Sequence, residues 1–548
     1  MSGKNPHYTR LNLDGAQRRN RVKEMKVISS ICPGCSIGCG LYLMVDREEK
    51  KIKLLHRKNS AVNEGKLCTF GTHLPAYYGR EAQKNAVGGR EVEQKEAVKE
   101  AKEKLKGMNP DELAFVALPC TITNEEIESF ASLASEFECE NISFGFESFF
   151  RGIPEAASYI IEKGLPFSEV EAASKIILFF IDPFVHYPLL ARRILKAKKN
   201  GAKVIEVSFA RNERGIADET VLVDPRDMEV ERIKENREMF EDSLIIGELT
   251  PYTNPQFLLL MLWINASTSS KLFLLKPFLN STGAFLLGGD FYTKRKKDLF
   301  EIIEGIERGE IKALYLLETD LAGVSEEITK TISKLGLLIE QNAYRTALSD
   351  IATITLRSES FFMKKGTIVN IEGRVLETGG ESEKGLRTLE SMGKGRSYEE
   401  VHEEVKKRLG LGSTKISEFE VAIKREEKSF ELAEPKVEME IERAEEEGYF
   451  LWYKTNPFFW SSGGDMGAIK NFVEISPWAM RKLGLFRDDE VEIVQGERKE
   501  KRGFKISELP PNLILAESKL SIKPFKGLLT GVEMRRADIK NKKIEKFL

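Results

Sequence analysis

A chain of 548 residues is long enough for roughly three or four domains, each with its own buried core. Charged side chains make up 31% of it, yet 84 basic and 86 acidic residues nearly cancel, which excludes the strongly basic footprint of a nucleic-acid or membrane-surface binder. Its longer apolar stretches, such as 176–181 and 257–263, fall well short of the roughly 18 residues a membrane span needs, so no transmembrane helix is expected. Residues 1–26 are polar and basic, and no apolar run follows the Arg18–Arg19 pair, so a cytoplasmic location is expected. Four of the six cysteines lie before residue 70, a distribution that suits metal ligands in a reducing compartment better than a disulfide framework.

In chain order, residues 27–80 are short, strand-like and glycine-rich, and KVISSICPGCSIGCGLYLMV predicts a strand, a cysteine loop and a second strand. A Glu/Lys/Ala/Leu stretch at helical spacing (92–107) leads into the apolar strand LAFVAL (113–118), and TNEEIESFASLASEF then returns to helical period. The alternation recurs in KIILFFI (175–181), the helical 188–202 and KVIEVSF (203–209), with Asn200 and Gly201 as the helix stop. It recurs again between 299 and 341. Apolar strands between helices imply a parallel, buried sheet in Rossmann-like layers. From 376 to 447 the chain turns polar and reads as a partly helical linker, and after 448 short strands and Gly/Pro turns predict a small β-rich domain.

The strongest chemical signal is Cys32-x2-Cys35-x3-Cys39 on one tight loop, with Pro33, Gly34 and Gly38 letting the backbone fold round a metal group and Cys68 closing the site from later in the chain. Four thiolates satisfy a 4Fe-4S cluster, and they also satisfy tetrahedral zinc. Zinc ribbons more often show two paired spacings than three bunched ligands and one remote. Cys120 and Cys139 read as buried small hydrophobes. Of the five histidines only His186 stands in a strand-to-helix turn where polar groups reach a ligand, and a packed or solvated role is the commoner one there. The glycine pairs at 288–289, 379–380 and 463–464 read as turns, and no phosphate or dinucleotide fingerprint is present.

The segments ICPGCSIGCGLYL and NEGKLCTFG resemble the cluster domain of the molybdopterin oxidoreductases, closest to the formate dehydrogenase alpha subunit. TNEE (123–126), IDPFVHYPLLARRILKAKKNGAKVI, EIIEGIERGEIKALYLLE and SDIATITLRSESFFMKKGTIVNIEGRV are similar to further units of that family, and residues 449–548 resemble its C-terminal barrel. The resemblance implies an α/β chain with a 4Fe-4S cluster domain at 27–83, a discontinuous Rossmann-like domain at 84–150 and 299–432, a second Rossmann-like domain inserted at 151–298, and a C-terminal β-barrel domain at 448–548. It implies one 4Fe-4S cluster on Cys32, Cys35, Cys39 and Cys68, and partner subunits carrying flavin or iron–sulfur centres.

The departures from the family are as informative. The family's Cys or selenocysteine metal ligand falls about Phe144 to Phe146, and its neighbouring histidine has no counterpart between His73 and His186. Glu147 or Ser148 would supply an oxygen ligand only at a shifted position. Phe70 stands where many members carry a lysine between cluster and pterin, Ser208 where an acid meets the cofactor's guanine, and LETDLAG where the family reads GENP. The expectation is an electron-transfer subunit that keeps its cluster and has lost the molybdopterin site with its molybdenum or tungsten. An active molybdenum or tungsten oxidoreductase of unusual ligation, and a purely structural or regulatory subunit, are the alternatives.

Overall fold

The computed structural model of the chain describes residues 25–46, 51–145, 164–212, 215–223, 235–249, 255–288, 297–321, 326–413, 415–423, 448–453, 472–496, 498–516 and 529–537. The first unit is a three-stranded antiparallel sheet of β1 (Met25–Ile31), β2 (Gly40–Asp46) and β3 (Lys51–His56), with β2 central. Ile28 on β1 and Leu41 and Leu43 on β2 share its inner face, as a half-buried antiparallel sheet requires, and the cysteine loop joins β1 to β2.

Two largely parallel α/β sheets follow, the larger with an antiparallel edge. The seven-stranded sheet takes β4 (Ala86–Val87), β5 (Arg90–Glu91), β6 (Leu113–Val116) and β7 (Ile142–Ser143) from the first part of the chain. It takes β13 (Ala313–Leu317), β14 (Leu337–Asn342) and β15 (Ile354–Arg357) from much later, in the order β5-β4-β15-β14-β13-β6-β7. Between these two halves lies a complete five-stranded sheet of β8 (Lys175–Phe179), β9 (Lys203–Ser208), β10 (Glu219–Leu222), β11 (Leu244–Glu248) and β12 (Lys271–Leu275), ordered β10-β9-β8-β11-β12. One Rossmann-like layer is therefore inserted in the other, as the family resemblance implied. β6, β8 and β13 are buried along nearly their whole length and read as continuous apolar runs, whereas β14, equally buried, ends in Glu340, Gln341 and Asn342.

The hairpin of β16 (Thr367–Val369) and β17 (Val375–Glu377) is the joint of the molecule. The helix Asn124–Glu136 starts with a capping box in which Thr123 and Glu126 exchange side-chain and backbone hydrogen bonds. The next carboxylate, Glu125, accepts from the Thr367 amide at 2.8 Å and the Thr367 hydroxyl at 3.0 Å. Gly366 lets the hairpin approach, since a Cβ there would lie 2.7 Å from Thr123 and Glu125. At the far end, Asn370 donates to the Ile37 carbonyl at 3.0 Å and the Ile371 amide donates to the Ser36 carbonyl at 2.9 Å. Sequence segments more than 200 residues apart, TNEE and the MKKGTIVNIEGR run, are thus one contact that also braces the cysteine loop.

The polar stretch expected to be a linker is not one in its described part. Helices Lys384–Met392 and Tyr398–Arg408 pack on the helix Asn124–Glu136, burying Leu386, Leu389, Met392, Val401 and Val405. Its charge is used in pairing: Glu390 takes Ser129 and Arg396, and His402 meets Glu125 at 2.8 Å while its ring stacks on Tyr398. Residues 424–447 lie outside the described part.

β18 (Tyr449–Tyr453), β19 (Phe472–Ile475), β20 (Glu490–Gln495), β21 (Arg498–Ile506), β22 (Leu513–Ala516) and β23 (Leu529–Arg536) close into a barrel ordered β18-β22-β19-β21-β20-β23. Closure removes the sheet edges, and Leu451, Ile475, Ile493 and Ile514 fill the interior.

Glu340, on β14, makes stability depend on pH. Burial pushes its carboxyl up from 4.5 to about 7, against hydrogen bonds from Ser349 and Thr346 that favour the ionised form. The folded state therefore holds a proton that the unfolded chain releases, and this group's contribution falls as pH rises through that interval. Relative to Glu340→Gln, the native chain is expected to lose up to about 3 kcal/mol between pH 5 and pH 8. Urea unfolding of both proteins across that range measures it, and a constant difference would show that Glu340 is ionised throughout.

Candidate functional site

Cys32, Cys35, Cys39 and Cys68 line a single cavity together with Ile37, Gly38, Pro188 and Leu189. The loop closes on itself where the Cys32 amide donates to the Cys39 carbonyl at 2.8 Å and the Gly38 amide to Cys35, with Gly38 at φ +71°, a conformation that favours glycine. Its exit is clamped by the side chain of Asn63, which accepts from the Gly40 amide at 2.9 Å and donates to the Gly40 carbonyl at 3.1 Å. The same amide group donates to the Lys66 carbonyl at 2.6 Å, fixing the approach to Cys68. Cys68 caps the short helix Thr69–Thr72.

Three of the cysteines are buried and Cys68 is half-buried. Burial, reinforced by the neighbouring cysteines, pushes the thiols of Cys32, Cys35 and Cys39 up, and burial pushes Cys68 up. Opposing this are backbone N–H groups on the sulfurs: Gly34 on Cys32, Ile37 on Cys35, and Phe70 and Gly71 on Cys68. Four thiols this close, in so dry a place, would repel one another as free thiolates. A cationic metal group reverses that balance, and the N–H groups then stabilise charge on its sulfurs. Among the described residues no three His, Cys, Asp or Glu side chains converge as a single metal ion would require.

The positions where the family holds its pterin look different. Phe70 is buried, its ring 6.0 Å from that of Tyr77. Phe144 is buried, 6.5 Å from Phe130, and Phe146, Glu147 and Ser148 lie outside the described residues. Ser208 ends β9 as a buried residue. In the LETDLAG run, Glu318 pairs with Lys364 and the Thr319 hydroxyl accepts from the Leu118 amide at 2.7 Å, so both are engaged inside the chain. Beyond β8 and β9, Phe180 at φ +55° turns its ring onto Phe209 at 4.5 Å, and Phe209 meets Trp452 of the barrel edge-on at 5.3 Å. All three are buried, so aromatic bulk fills the space between the C-terminal ends of these strands and the barrel.

Sequence reasoning passed over several buried polar groups. Lys364 donates to both oxygens of Glu126 at 2.9 Å, to Glu318 at 3.2 Å and to the Thr121 carbonyl at 3.0 Å. Burial alone would push its ammonium down, yet Glu126, Glu318 and Glu359 together hold it above its usual range. Arg80 lies between the rings of Tyr77 and Tyr344, 4.1 and 4.3 Å from their centroids, in a second cavity that Cys120, Glu318 and Asn342 also line. His186 is buried and bonds Glu248 at 2.7 Å, with Tyr187 donating to the other oxygen of that carboxylate at 3.0 Å. The His186 Nε2 is buried without a hydrogen-bond partner among the described residues. Cys120 and Cys139 are buried and do not line the four-cysteine cavity. The glycines at 379 and 380 do more than turn the chain: a Cβ at either would meet Ser29 or Met363 backbone at about 2 Å.

Comparison with known proteins agrees with this construction. Residues 25–78 match the family model described as the molybdopterin oxidoreductase Fe4S4 domain. The F420-dependent formate dehydrogenase subunit alpha of Methanocaldococcus jannaschii is 29% identical over 200 residues, covering 34% of this chain and 29% of that one. The NADPH-Fe(3+) oxidoreductase subunit alpha of Geobacter sulfurreducens is 43% identical over 82 residues, covering 14% of this chain and 10% of that one. The chain thus spans less than a third of the length of these curated relatives. Among solved structures, acetylene hydratase from Pelobacter acetylenicus superposes with a TM-score of 0.58 at 11% identity, covering 93% of this chain and 100% of that one, which shows a shared fold. Residues 25–78 thus carry a molybdopterin oxidoreductase-type Fe4S4 domain, the chain is similar to formate dehydrogenase alpha subunits over about a third of its length, and its inserted sheets and closing barrel share the fold of acetylene hydratase.

Proposed function

We propose that this chain is the 4Fe-4S electron-transfer subunit of a multi-subunit redox complex, with Cys32, Cys35, Cys39 and Cys68 as the cluster ligands and without a working pterin-metal site. The observation that carries the reading is the four-cysteine cavity, closed by backbone donors and lined otherwise by apolar residues. A bound cluster supplies a one-electron couple there. The chain's own contribution is to exclude water with Ile37, Pro188 and Leu189, to hold three ligands on one loop through Asn63 and Asn370, and to aim N–H groups at the sulfurs. Those donors favour the more negative, reduced state and so raise the potential.

Among the described residues, those at the positions named above do not fit an anionic bis-pterin cofactor. Phe70, Phe144, Phe180, Phe209 and Trp452 are apolar and buried, and burying an anion beside them without paired donors is heavily penalised. A relay cluster needs a partner to exchange electrons with, and a flavin- or iron–sulfur-containing subunit is the partner expected. The relatives named above are alpha subunits, which supports assembly with other chains.

The test is elemental analysis by mass spectrometry on protein purified from its native host. About four irons per chain, with essentially no molybdenum or tungsten, is the expected result. One molybdenum or tungsten per chain, or a pterin in the extract, would overturn the relay and establish an active oxidoreductase of unusual ligation. Iron that no partner protein or small carrier re-oxidises would leave the cluster as a structural staple.

A further inference from the structure

The four cysteines are not equally placed: Cys68 alone is half-buried, so the segment that carries it is where the cavity comes nearest to solvent. That segment is held against the end of β3. His56 bonds the Gly65 carbonyl at 2.8 Å, and Gly65 lies so close to Lys58 that a Cβ on it would come within 2.9 Å of the Lys58 Cα. Lys66 follows, with its carbonyl held by Asn63, and then Leu67 and Cys68. Lys58, Lys66, Thr69 and His73 are all exposed around this segment.

The charge here is one-sided. Every described carboxylate near this segment with a resolved ion pair is engaged by an arginine: Glu64 with Arg192 and Arg193, and Glu418 with Arg57. Lys58 and Lys66 have no ion pair among the described residues. Along β3, Lys53 is exposed and likewise without an ion pair there, and Leu55 leaves 38% of its surface in water. Exposed Lys58 and Lys66 thus stand on the segment that carries the most accessible ligand, with Lys53 and Leu55 exposed further back along β3.

We propose that this lysine-bearing segment is the docking surface for an acidic one-electron carrier protein, and that electrons enter or leave the cluster by way of Cys68. The proposal rests on the relay reading above. Lysines suit such a surface because transient redox complexes are small and are assembled by charge more than by buried area. A carrier with acidic groups around its own redox centre would bring the two centres together at the edge where the protein sheath is thinnest.

The test uses the native, iron-loaded chain and an acidic ferredoxin as probe, mixed anaerobically in a stopped-flow instrument at several salt concentrations. In the native chain the second-order rate is expected to fall steeply as salt rises, as for a steered encounter. The double variant Lys58→Glu with Lys66→Glu, at unchanged iron content, is expected to be slower by about 10-fold or more at low salt and to lose the salt dependence. The control Lys394→Glu changes an exposed lysine on another element and is expected to behave as the native chain. Native rate and salt dependence in the double variant overturn the docking surface and leave the relay standing. A native cluster that dithionite reduces but the carrier does not, at any salt, overturns the acidic carrier. If no flavoprotein or small mediator re-oxidises it either, the relay falls as well.

Discussion

Replacing Cys68 by serine is expected to leave a chain that purifies with a fraction of the native iron, and to remove or bleach the visible thiolate-to-iron absorption. Cys32, Cys35 and Cys39 sit on one loop, and in the proposed cluster they would hold three corners of a cubane, with Cys68, at the N-terminus of the short helix Thr69–Thr72, as the fourth ligand. A serine hydroxyl is a harder and far weaker acid than a thiol, so it neither ionises readily nor suits iron in a sulfide cluster. Anaerobic iron quantitation on the native and variant proteins should give about four irons against fewer than about one. Cys120→Ser, buried outside the cavity, should keep the native iron and spectrum. An unchanged spectrum in Cys68→Ser would remove that residue from the ligand set, and stoichiometric zinc in the native chain would remove the cluster.

The second large effect is expected at Lys364, which has no part in the cluster. Its ammonium is almost completely buried among Glu126, Glu318 and the Thr121 carbonyl, so Lys364→Met fills the space while leaving two or three carboxylates without their cation. Breaking a buried pair by removing one partner typically costs about 3–5 kcal/mol, because the remaining charge is desolvated and unpaired. Much of the stability of an ordinary domain is of that size. Urea unfolding should show the loss, and it should be smaller near pH 5 than near pH 8, since protonation of the stranded carboxylates relieves it. Adding Glu126→Gln to Lys364→Met should restore part of the stability. A loss below about 1 kcal/mol, or one independent of pH, would mean that the carboxylates find other partners.

The expected linker shows why composition misleads. Residues 384–408 are as polar as a solvated connector, and single-sequence patterning does not distinguish a charge that faces water from one that faces another charge. Glu390, Arg396 and His402 look like a solvated face until Ser129, Glu128 and Glu125 are placed opposite them. The same holds for Lys364 and Lys365, adjacent and identical in sequence. One is buried with three carboxylates near it, the other lies over the Tyr398 ring at 3.7 Å and pairs with Glu383 at the surface.

What the sequence determined by itself was local or periodic. The cysteine spacing, the helix that begins at TNEE, the helix stop at Asn200 and Gly201, and the apolar strands of both sheets depend on neighbours within one or two turns, where residue type and backbone preference decide the outcome. The family likeness added the order of the layers. Only the tertiary structure decided which distant groups meet: that the TNEE carboxylates grip the hairpin at 367, that Asn370 braces the cysteine loop, and that Phe180, Phe209 and Trp452 come together from the five-stranded sheet and the barrel. These contacts join residues up to several hundred positions apart. Their energies come from burial and pairing in a dry interior, terms that no local pattern encodes because the partner is set by the path of the whole chain.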